Sequence, residues 1–375
     1  MSTDTLLVEL GTEELPPKTL KPLSLAFRDG IVDGLKQREL RYGQVQYFAT
    51  PRRLAVLIFD VQLKAPEKTV EVLGPPLDRA RDEAGNWSNA TNGFAKKQGV
   101  APEQLQTIDT PKGPRLGLQK TVPGVAARDA LNAIIQSSIA GLPIARRMRW
   151  GASREEFVRP VHWVVAMLGQ DCDHGKVFNL STGNTTRGHR FHGSGLITLN
   201  HAEDYESALA KANVVASFEQ RQQIIREQVK AQALALGANA VIATDLLDEV
   251  TGLVEWPVAL TGSFEERYLQ VPPEALISSM KEHQKYFHLI DSKGELLPHF
   301  ITVANIESSD PQQVIAGNER VIRPRLSDAA FFFETDKKIP LADRVASLSN
   351  IVFQQKLGTL LDKTVRISQL AALLA

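Results

Sequence analysis

The first 65 residues constrain the fold most, because an apolar run, a helical repeat and two further apolar runs follow one another there. Residues 6–10 predict a short strand. Apolar positions between Leu20 and Leu35 recur at helical spacing, which predicts a helix with one buried stripe. Residues 45–48 and 54–58 then predict two strands joined by a short turn. This order of elements predicts an α/β module that ends near residue 65.

The rest of the chain predicts three further parts. Between residues 66 and 145, glycine and proline break the pattern into short segments, which indicates a small inserted or linking module. Residues 146–320 alternate between strand-like and helical patterns and predict a central α+β domain. Residues 321–375 are helical in pattern, with no further strand signal. We therefore predict a multidomain α+β protein with mixed sheets, which ends in the start of an all-helical domain.

Composition excludes several classes of protein. The chain has 43 basic and 43 acidic side chains, so it is not a strongly basic tail-type protein, and 43% hydrophobic residues is typical of a globular fold. Cys172 is the only cysteine, which excludes an internal disulfide and an all-cysteine zinc site. The polar N-terminus and the lack of a long apolar run predict a soluble protein of the cytoplasm.

The familiar motifs of nucleotide and metal chemistry are missing from the sequence. It has no phosphate-binding loop of the Gly-x-x-x-x-Gly-Lys type, no Gly-x-Ser-x-Gly elbow and no His-Glu-x-x-His helix. His189 and His192 form a close pair, but polar loop residues explain them better than a metal site does. The adjacent carboxylates at 13–14, 155–156 and 265–266 indicate solvated surface. We predict no catalytic residue and no metal site.

Three clusters of arginine with aromatic or histidine neighbours are the most informative feature of the sequence. Between residues 140 and 160, five arginines accompany only two glutamates. Arginine next to aromatic rings suits contacts with phosphates and bases, whereas ion pairing on a mixed-charge surface is the alternative for any single cluster. The candidate RNA-contacting residues are Arg146, Arg147, Arg149, Trp150, Arg159, Arg187, His189, Arg190, Arg320, Arg323 and Arg325.

Ordered motifs along the whole chain also carry a family resemblance. They are Leu7-Val8-Glu9-Leu10-Gly11-Thr12-Glu13-Glu14-Leu15-Pro16-Pro17-Lys18, Pro51-Arg52-Arg53-Leu54-Ala55, Met148-Arg149-Trp150-Gly151, Phe157-Val158-Arg159-Pro160-Val161-His162, Arg187-Gly188-His189-Arg190-Phe191, Val254-Glu255-Trp256-Pro257, Met280-Lys281, Gln284-Lys285-Tyr286-Phe287, Val303-Ala304-Asn305-Ile306 and Arg323-Pro324-Arg325-Leu326-Ser327-Asp328-Ala329. In this order they resemble the beta subunit of bacterial two-chain glycyl-tRNA synthetase. His192 is a local departure from that pattern.

The resemblance implies part of a ligase that joins glycine to tRNA-Gly. In that family a separate alpha subunit holds the class II catalytic core and uses ATP and Mg²⁺, while the beta subunit binds and positions the tRNA in an α2β2 heterotetramer. This chain would then bind no cofactor itself and hold no complete active site. Beta chains of the family continue through a helical domain of HD type into an anticodon-binding domain, so the resemblance implies an N-terminal portion with a truncated helical part at 321–375.

Two other functions remain open from the sequence. A stand-alone RNA-binding or scaffold protein with no role in ligation would share the arginine clusters. An HD-type phosphohydrolase is less favoured, because metal chemistry of that kind needs histidine and aspartate ligands together and no histidine follows residue 320.

Overall fold

The computed structural model describes residues 2–83, 85–172, 175–193 and 195–375. The chain divides into two compact units, Met1–Phe218 and Glu219–Ala375. This division falls inside the central part expected from the sequence, and the four-part organisation stays a prediction. Both units combine antiparallel sheets with helices, which confirms the α+β class. Within the described ranges, no helix is both long and apolar enough to cross a membrane.

The first unit contains several small sheets and four helices within its described residues. Its strands are β1 (Thr3–Thr12), β2 (Val45–Thr50), β3 (Arg53–Gln62), β4 (Lys68–Pro76), β5 (Gln106–Ile108), β6 (Arg115–Val122), β7 (Met148–Arg149), β8 (Glu156–Phe157), β9 (Val161–Leu168), β10 (Lys176–Val177), β11 (Leu180–Ser181), β12 (Thr185–Arg187) and β13 (Leu196–Thr198). Its helices are α1 (Pro17–Gln37), α2 (Asn89–Gln98), α3 (Ala127–Ala140) and α4 (Tyr205–Lys211), with 3₁₀ turns at Leu77–Arg79, Pro102–Gln104 and Ala202–Asp204.

The central sheet of the first unit has the antiparallel order β2-β3-β1-β9. Both of its faces are buried. Leu6 and Val8 belong to the core that also contains apolar residues of α1 and α3, whereas Leu7 packs in a second core with residues of α4. Burial of both faces explains why residues 6–8 of β1 are apolar in succession rather than alternating with polar residues.

The elements predicted for the first 65 residues are confirmed as β1, α1, β2 and β3. Residues 156–168, which are rich in valine, form two strands, β8 and β9, separated by Val158, Arg159 and Pro160. Proline lacks the backbone N–H that a strand ladder needs, so the interruption at Pro160 has a direct physical cause. Between residues 66 and 145, β4, β6 and β5 form a small sheet with its own core, which includes Ala95 and Leu116.

The second unit has one four-stranded antiparallel sheet of order β14-β16-β17-β15. Its strands are β14 (Asn239–Ala240), β15 (Val258–Ser263), β16 (Phe287–Ile290), β17 (Leu296–Ala304), β18 (Val352–Gln354) and β19 (Gly358–Thr359). Its helices are α5 (Phe218–Ala235), which begins at the boundary, α6 (Thr244–Thr251), α7 (Pro273–Ser278), α8 (Pro311–Lys337), α9 (Leu341–Arg344) and α10 (Leu360–Leu374), with a π-helical turn at Ser279–Gln284 and 3₁₀ turns at Glu266–Gln270 and Val345–Asn350.

The C-terminal part corrects one prediction. Residues 321–375 are not all-helical, because β18 and β19 pair as an antiparallel hairpin. The last helix of this part begins only at Leu360, where Thr359 Oγ1 accepts a hydrogen bond from the Asp362 N–H and Asp362 Oδ2 accepts one from the Thr359 N–H. Residues 352–359 therefore form a hairpin, although their apolar residues recur near helical spacing. The likeness of this part to an HD domain stays a prediction.

Candidate functional site

A buried ion pair lies at the centre of the first unit. Glu9 on β1 and Arg53 on β3 are fully buried, and Arg53 Nη1 donates a hydrogen bond of 3.2 Å to Glu9 Oε1. The same oxygen accepts hydrogen bonds from Thr186 Oγ1 (2.9 Å) and Tyr205 Oη (3.1 Å), and Trp163 Nε1 donates to Oε2 (3.1 Å). Both oxygens of the carboxylate are thus hydrogen-bonded, as a buried charge requires.

Tyr205 acts as a donor in this network. Burial raises the pKa of its hydroxyl well above the usual value, and the negative charge of Glu9 raises it further, although Arg53 acts in the opposite direction. The phenol therefore stays protonated at neutral pH. Sequence inspection missed this network, although a charged residue between Val8 and Leu10 in an apolar strand is a signal of a buried partner.

Trp163 is the platform on which three guanidinium groups converge. Its ring centroid lies 5.8 Å from the guanidinium carbon of Arg52, 6.0 Å from that of Arg53 and 5.2 Å from that of Arg187. Gly11 on β1 lies directly against the indole, where an added Cβ would come within 1.8 Å of Trp163 Cε2. The ring can occupy this position only because residue 11 has no side chain.

A cavity of about 330 Å³ opens beside this platform. It lies where the end of β1 meets the starts of β3 and β9, because these strands are antiparallel neighbours. We call it the Arg187 cavity. It is lined by Glu13, Arg52, His162, Arg187, Gly188, His189, Arg190, Gly193 and Gly195. Three arginines face one glutamate in this lining, so the cavity favours a negatively charged occupant.

Glu13 lies at the edge of the Arg187 cavity. Arg190 Nη2 donates to its Oε2 at 2.9 Å, and His162 Nε2 lies 3.2 Å from its Oε1. Partial burial acts to raise the pKa of Glu13, but the hydrogen bond and charge of Arg190, together with the charges of His162 and Arg52, lower that pKa below the usual value. Glu13 is therefore a partly exposed, ionised member of the site that pairs with Arg190.

The loop that follows β12 forms one wall of the cavity. His189 is only 2% exposed, and its Nδ1 accepts hydrogen bonds from the backbone N–H groups of Phe191 (3.3 Å) and His192 (3.2 Å). The rings of His189 and His192 stack 5.0 Å apart. An added Cβ at Gly193 would lie 2.6 Å from the carbonyl oxygen of His189. Histidine and glycine at these positions hold the loop in a tight turn.

The residues predicted around position 150 lie on a different part of the first unit. Arg146 and Arg147 are exposed, whereas Arg149 on β7 donates a hydrogen bond of 2.7 Å to Glu156 on the paired strand β8. Arg159 is half-buried, and its Nη1 donates to the carbonyl oxygen of Val158 at 3.1 Å.

Trp150 is half-buried rather than displayed. Its ring lies 5.9 Å from that of Phe178 and packs against the main apolar core. An aromatic ring in this position contributes to core packing, and only its exposed part is available to stack on a base. Its assignment as an RNA contact stays a prediction.

The third predicted cluster lies on α8 of the second unit. Arg320, Arg323 and Arg325 are exposed, and Arg323 Nε donates to Glu265 Oε1 at 2.8 Å. Each of the three clusters thus contains one arginine in an ion pair with glutamate, as the alternative interpretation expected. Across the described parts of the chain, Arg146, Arg147, Arg187, Arg320 and Arg325 form no ion pair.

Comparison with known proteins identifies the family. The family model of the glycyl-tRNA synthetase beta subunit matches residues 6–375. The chain belongs to this family. Curated relatives named glycine–tRNA ligase beta subunit come from Marinobacter nauticus (53% identical), Chromohalobacter salexigens (52%) and Hahella chejuensis (50%). Each alignment covers all of this chain and 54% of the relative, so the chain spans about half the length of these curated relatives.

The match confirms the family that the sequence motifs indicated. In this chain, the range matched by the family model includes the buried Glu9–Arg53 pair, the Arg187 cavity and all three arginine clusters. The sequence had placed Arg187, His189 and Arg190 in one cluster, but nothing in their spacing predicted that Arg52 and Glu13 would join them in the cavity lining.

Proposed function

We propose that this chain serves as the N-terminal part of a glycine–tRNA ligase beta subunit. In this role it binds and positions tRNA-Gly and assembles with a separate alpha subunit into an α2β2 enzyme of the cytoplasm. The observation that carries the proposal is the identity of 50–53% with curated beta subunits over the whole chain. A stand-alone RNA-binding or scaffold role is not favoured by any comparable observation.

The proposal assigns the chemical step to the alpha subunit. ATP and Mg²⁺ would bind there, and this chain would contribute no catalytic residue and bind no cofactor. Support comes from the sequence, which lacks the phosphate-binding and nucleophile motifs that such chemistry commonly uses. The beta chain would then act through binding and orientation, which can lower a reaction barrier without any chemical contribution.

The arginines of the first cluster differ in whether an ion pair within the protein already occupies the guanidinium group. Arg146 and Arg147 are exposed and form no ion pair with any described residue, so both can approach RNA phosphates. Arg149 must first leave Glu156 before it can do so. We therefore expect Arg146 and Arg147 to contribute most of the first cluster's electrostatic affinity.

A salt titration of tRNA-Gly binding tests this surface. The double variant Arg146→Gln, Arg147→Gln should weaken binding and reduce the slope of log K against log salt by up to about 0.9 for each phosphate that the variant no longer neutralises. Arg28→Gln is a matched control, because Arg28 lies on α1 of the same unit and pairs with Asp29 at 2.8 Å. Equal affinity and slope in the wild type and the double variant would remove this cluster from the interface.

Assembly and catalysis need separate measurements. The chain should co-purify with a glycine–tRNA ligase alpha subunit, and glycine-dependent exchange between ATP and pyrophosphate should require that subunit. Exchange by the pure chain at the rate of an intact enzyme would contradict the assignment of catalysis to the alpha subunit. Binding of tRNA without any binding of the alpha subunit would favour the stand-alone RNA-binding protein instead.

A further inference from the structure

We propose that the Arg187 cavity binds a phosphate group, either as free phosphate or as the terminal group of a small phosphate ester. The proposal rests on the side chains of the cavity itself and not on tRNA binding or on the alpha subunit. Arg52, Arg187 and Arg190 face the cavity against a single carboxylate, that of Glu13. One guanidinium group can donate two parallel hydrogen bonds to two oxygens of a phosphate. A lining with three arginines therefore suits a phosphate group.

Arg187 is the residue best placed to bind the anion. Its guanidinium carbon lies 5.2 Å from the Trp163 ring centroid, and it forms no side-chain hydrogen bond or ion pair with the described residues. Contact with the indole fixes one face of the guanidinium, while the N–H groups at its edge are available for a planar or tetrahedral anion.

The walls of the cavity are held in place by protein contacts. Arg53 Nη2 donates to the carbonyl oxygen of Arg187 at 3.0 Å, so the buried ion pair anchors the start of the cavity loop. The carbonyl oxygen of Arg52 accepts a hydrogen bond from the Thr12 N–H at 2.8 Å, and the Arg52 residue is only 8% exposed. A site ordered in advance loses less conformational entropy when it binds a ligand.

Glu13 is the competitor of the proposed ligand. It binds Arg190 at 2.9 Å, but both side chains are about 40% exposed. Ion pairs at such exposure are weak in water, so a doubly charged phosphate that already contacts Arg187 can replace the Glu13 carboxylate at Arg190. The affinity for phosphate should therefore rise when Glu13 loses its charge.

The volume of the cavity is consistent with a small ester as well as a free ion. Pockets for small molecules range from about 300 to 1,000 Å³, and the Arg187 cavity lies at the lower end of that range. Space remains beside a phosphate for the organic part of a small ester. Phe191 is 73% exposed on the same loop, with its ring 6.2 Å from that of the cavity-lining His189, and offers an apolar surface for such a part.

Isothermal titration calorimetry of the 375-residue chain with inorganic phosphate and with a nucleoside monophosphate tests the proposal. Both arms lack RNA and the alpha subunit, so their outcome is separate from that of the proposed ligase role. We expect binding in at least one arm, and the tighter arm identifies the source of the phosphate. Arg187→Gln should weaken that binding about ten-fold or more.

Two further variants distinguish the loss of a phosphate contact from damage to the fold. Glu13→Gln should tighten binding by up to about five-fold, a change that a damaged fold could not produce. Arg366→Gln, which removes the same charge from an exposed position in the second unit outside every proposed RNA contact, should leave the affinity unchanged. Absence of binding in both arms, or equal affinities in the wild type and Arg187→Gln, would overturn the proposal.

Discussion

Arg53 Nη1 lies 3.2 Å from Glu9 Oε1 in the interior of the central sheet, and neither side chain has measurable exposure to solvent. The two residues lie on neighbouring strands, where Glu9 pairs in register with Ala55 and Arg53 with Gly11. A buried ion pair is stable only when its remaining hydrogen bonds are satisfied. Here Thr50 and the carbonyl of Arg187 also bind Arg53, so the pair connects the sheet to the wall of the Arg187 cavity.

Arg53→Met should destabilise the first unit strongly. The substitution leaves the Glu9 carboxylate buried without its positive partner, and removal of one partner of a buried pair costs about 3–5 kcal/mol. Arg28→Met is the control, because Arg28 pairs with Asp29 in a partly exposed ion pair and lies over the Tyr47 ring at 5.6 Å, and the loss of these contacts should cost about 1 kcal/mol or less. Urea unfolding of both variants gives the comparison. Equal destabilisation would mean that the buried pair contributes no more than a surface pair.

Gly11→Ala should displace Trp163. An added methyl at residue 11 would overlap the indole, and overpacking of this kind costs about 1–3 kcal/mol. Gly93→Ala makes the same chemical change within α2, where no atom lies within 4 Å of the added Cβ, so it should stabilise the protein by about 0.5–1 kcal/mol. Opposite signs in thermal unfolding are expected. Equal changes in thermal stability for the two variants would show that the contact with Trp163 does not exclude a side chain at residue 11.

The second unit should lose stability in alkaline solution through Tyr286. Burial raises the pKa of Tyr286 to about 12, and its hydroxyl donates a hydrogen bond of 2.7 Å to Asn318. An unfolded tyrosine has a pKa of about 10, so between these values the unfolded chain releases a proton that the folded chain keeps. The unfolded state then binds fewer protons, and the free energy of unfolding falls as pH rises.

Tyr286→Phe tests the origin of this alkaline destabilisation. The variant should lose less stability than the wild type between about pH 10 and pH 12, because phenylalanine has no proton to release. Urea unfolding across that interval, with a reference near neutral pH, measures the difference. Parallel pH profiles for the two proteins would assign the alkaline destabilisation to other groups.

The local elements of the first unit could be predicted from sequence because their signals are local. Apolar residues at helical spacing specified α1, and the apolar runs specified β1 to β3. The partner of β1 on its other side could not be predicted in this way. Strand β9 lies about 150 residues further along the chain, and its pairing with β1 depends on long-range packing rather than on spacing.

The candidate site shows the same limit. The arginines at 187 and 190 attracted attention because they are adjacent to histidine and phenylalanine in sequence. Arg52 and Glu13 join them only because antiparallel pairing brings the end of β1 and the start of β3 to one edge of the sheet. The spacing of residues along the sequence does not predict that these four side chains lie close together. The charged Glu9 inside an apolar strand indicates a buried partner, but the sequence does not indicate that this partner is Arg53.

Helix α10 should be less protected than strand β17 in hydrogen exchange. It carries no buried residue, and Leu370, Leu373 and Leu374 are 57–82% exposed. In contrast, β17 places Phe300 and Ile301 in fully buried cores.

Buried leucine side chains contribute roughly 1.5–3 kcal/mol each, so a helix without them opens at a low free energy. Amide exchange followed by mass spectrometry should therefore show faster exchange in α10 than in β17. The N-terminal turn of α10 offers an internal reference, because Thr359 and Asp362 form reciprocal capping hydrogen bonds there and should slow exchange locally. Protection of α10 equal to that of β17 would contradict the prediction and would require a stabilising contact that its exposed leucines do not make.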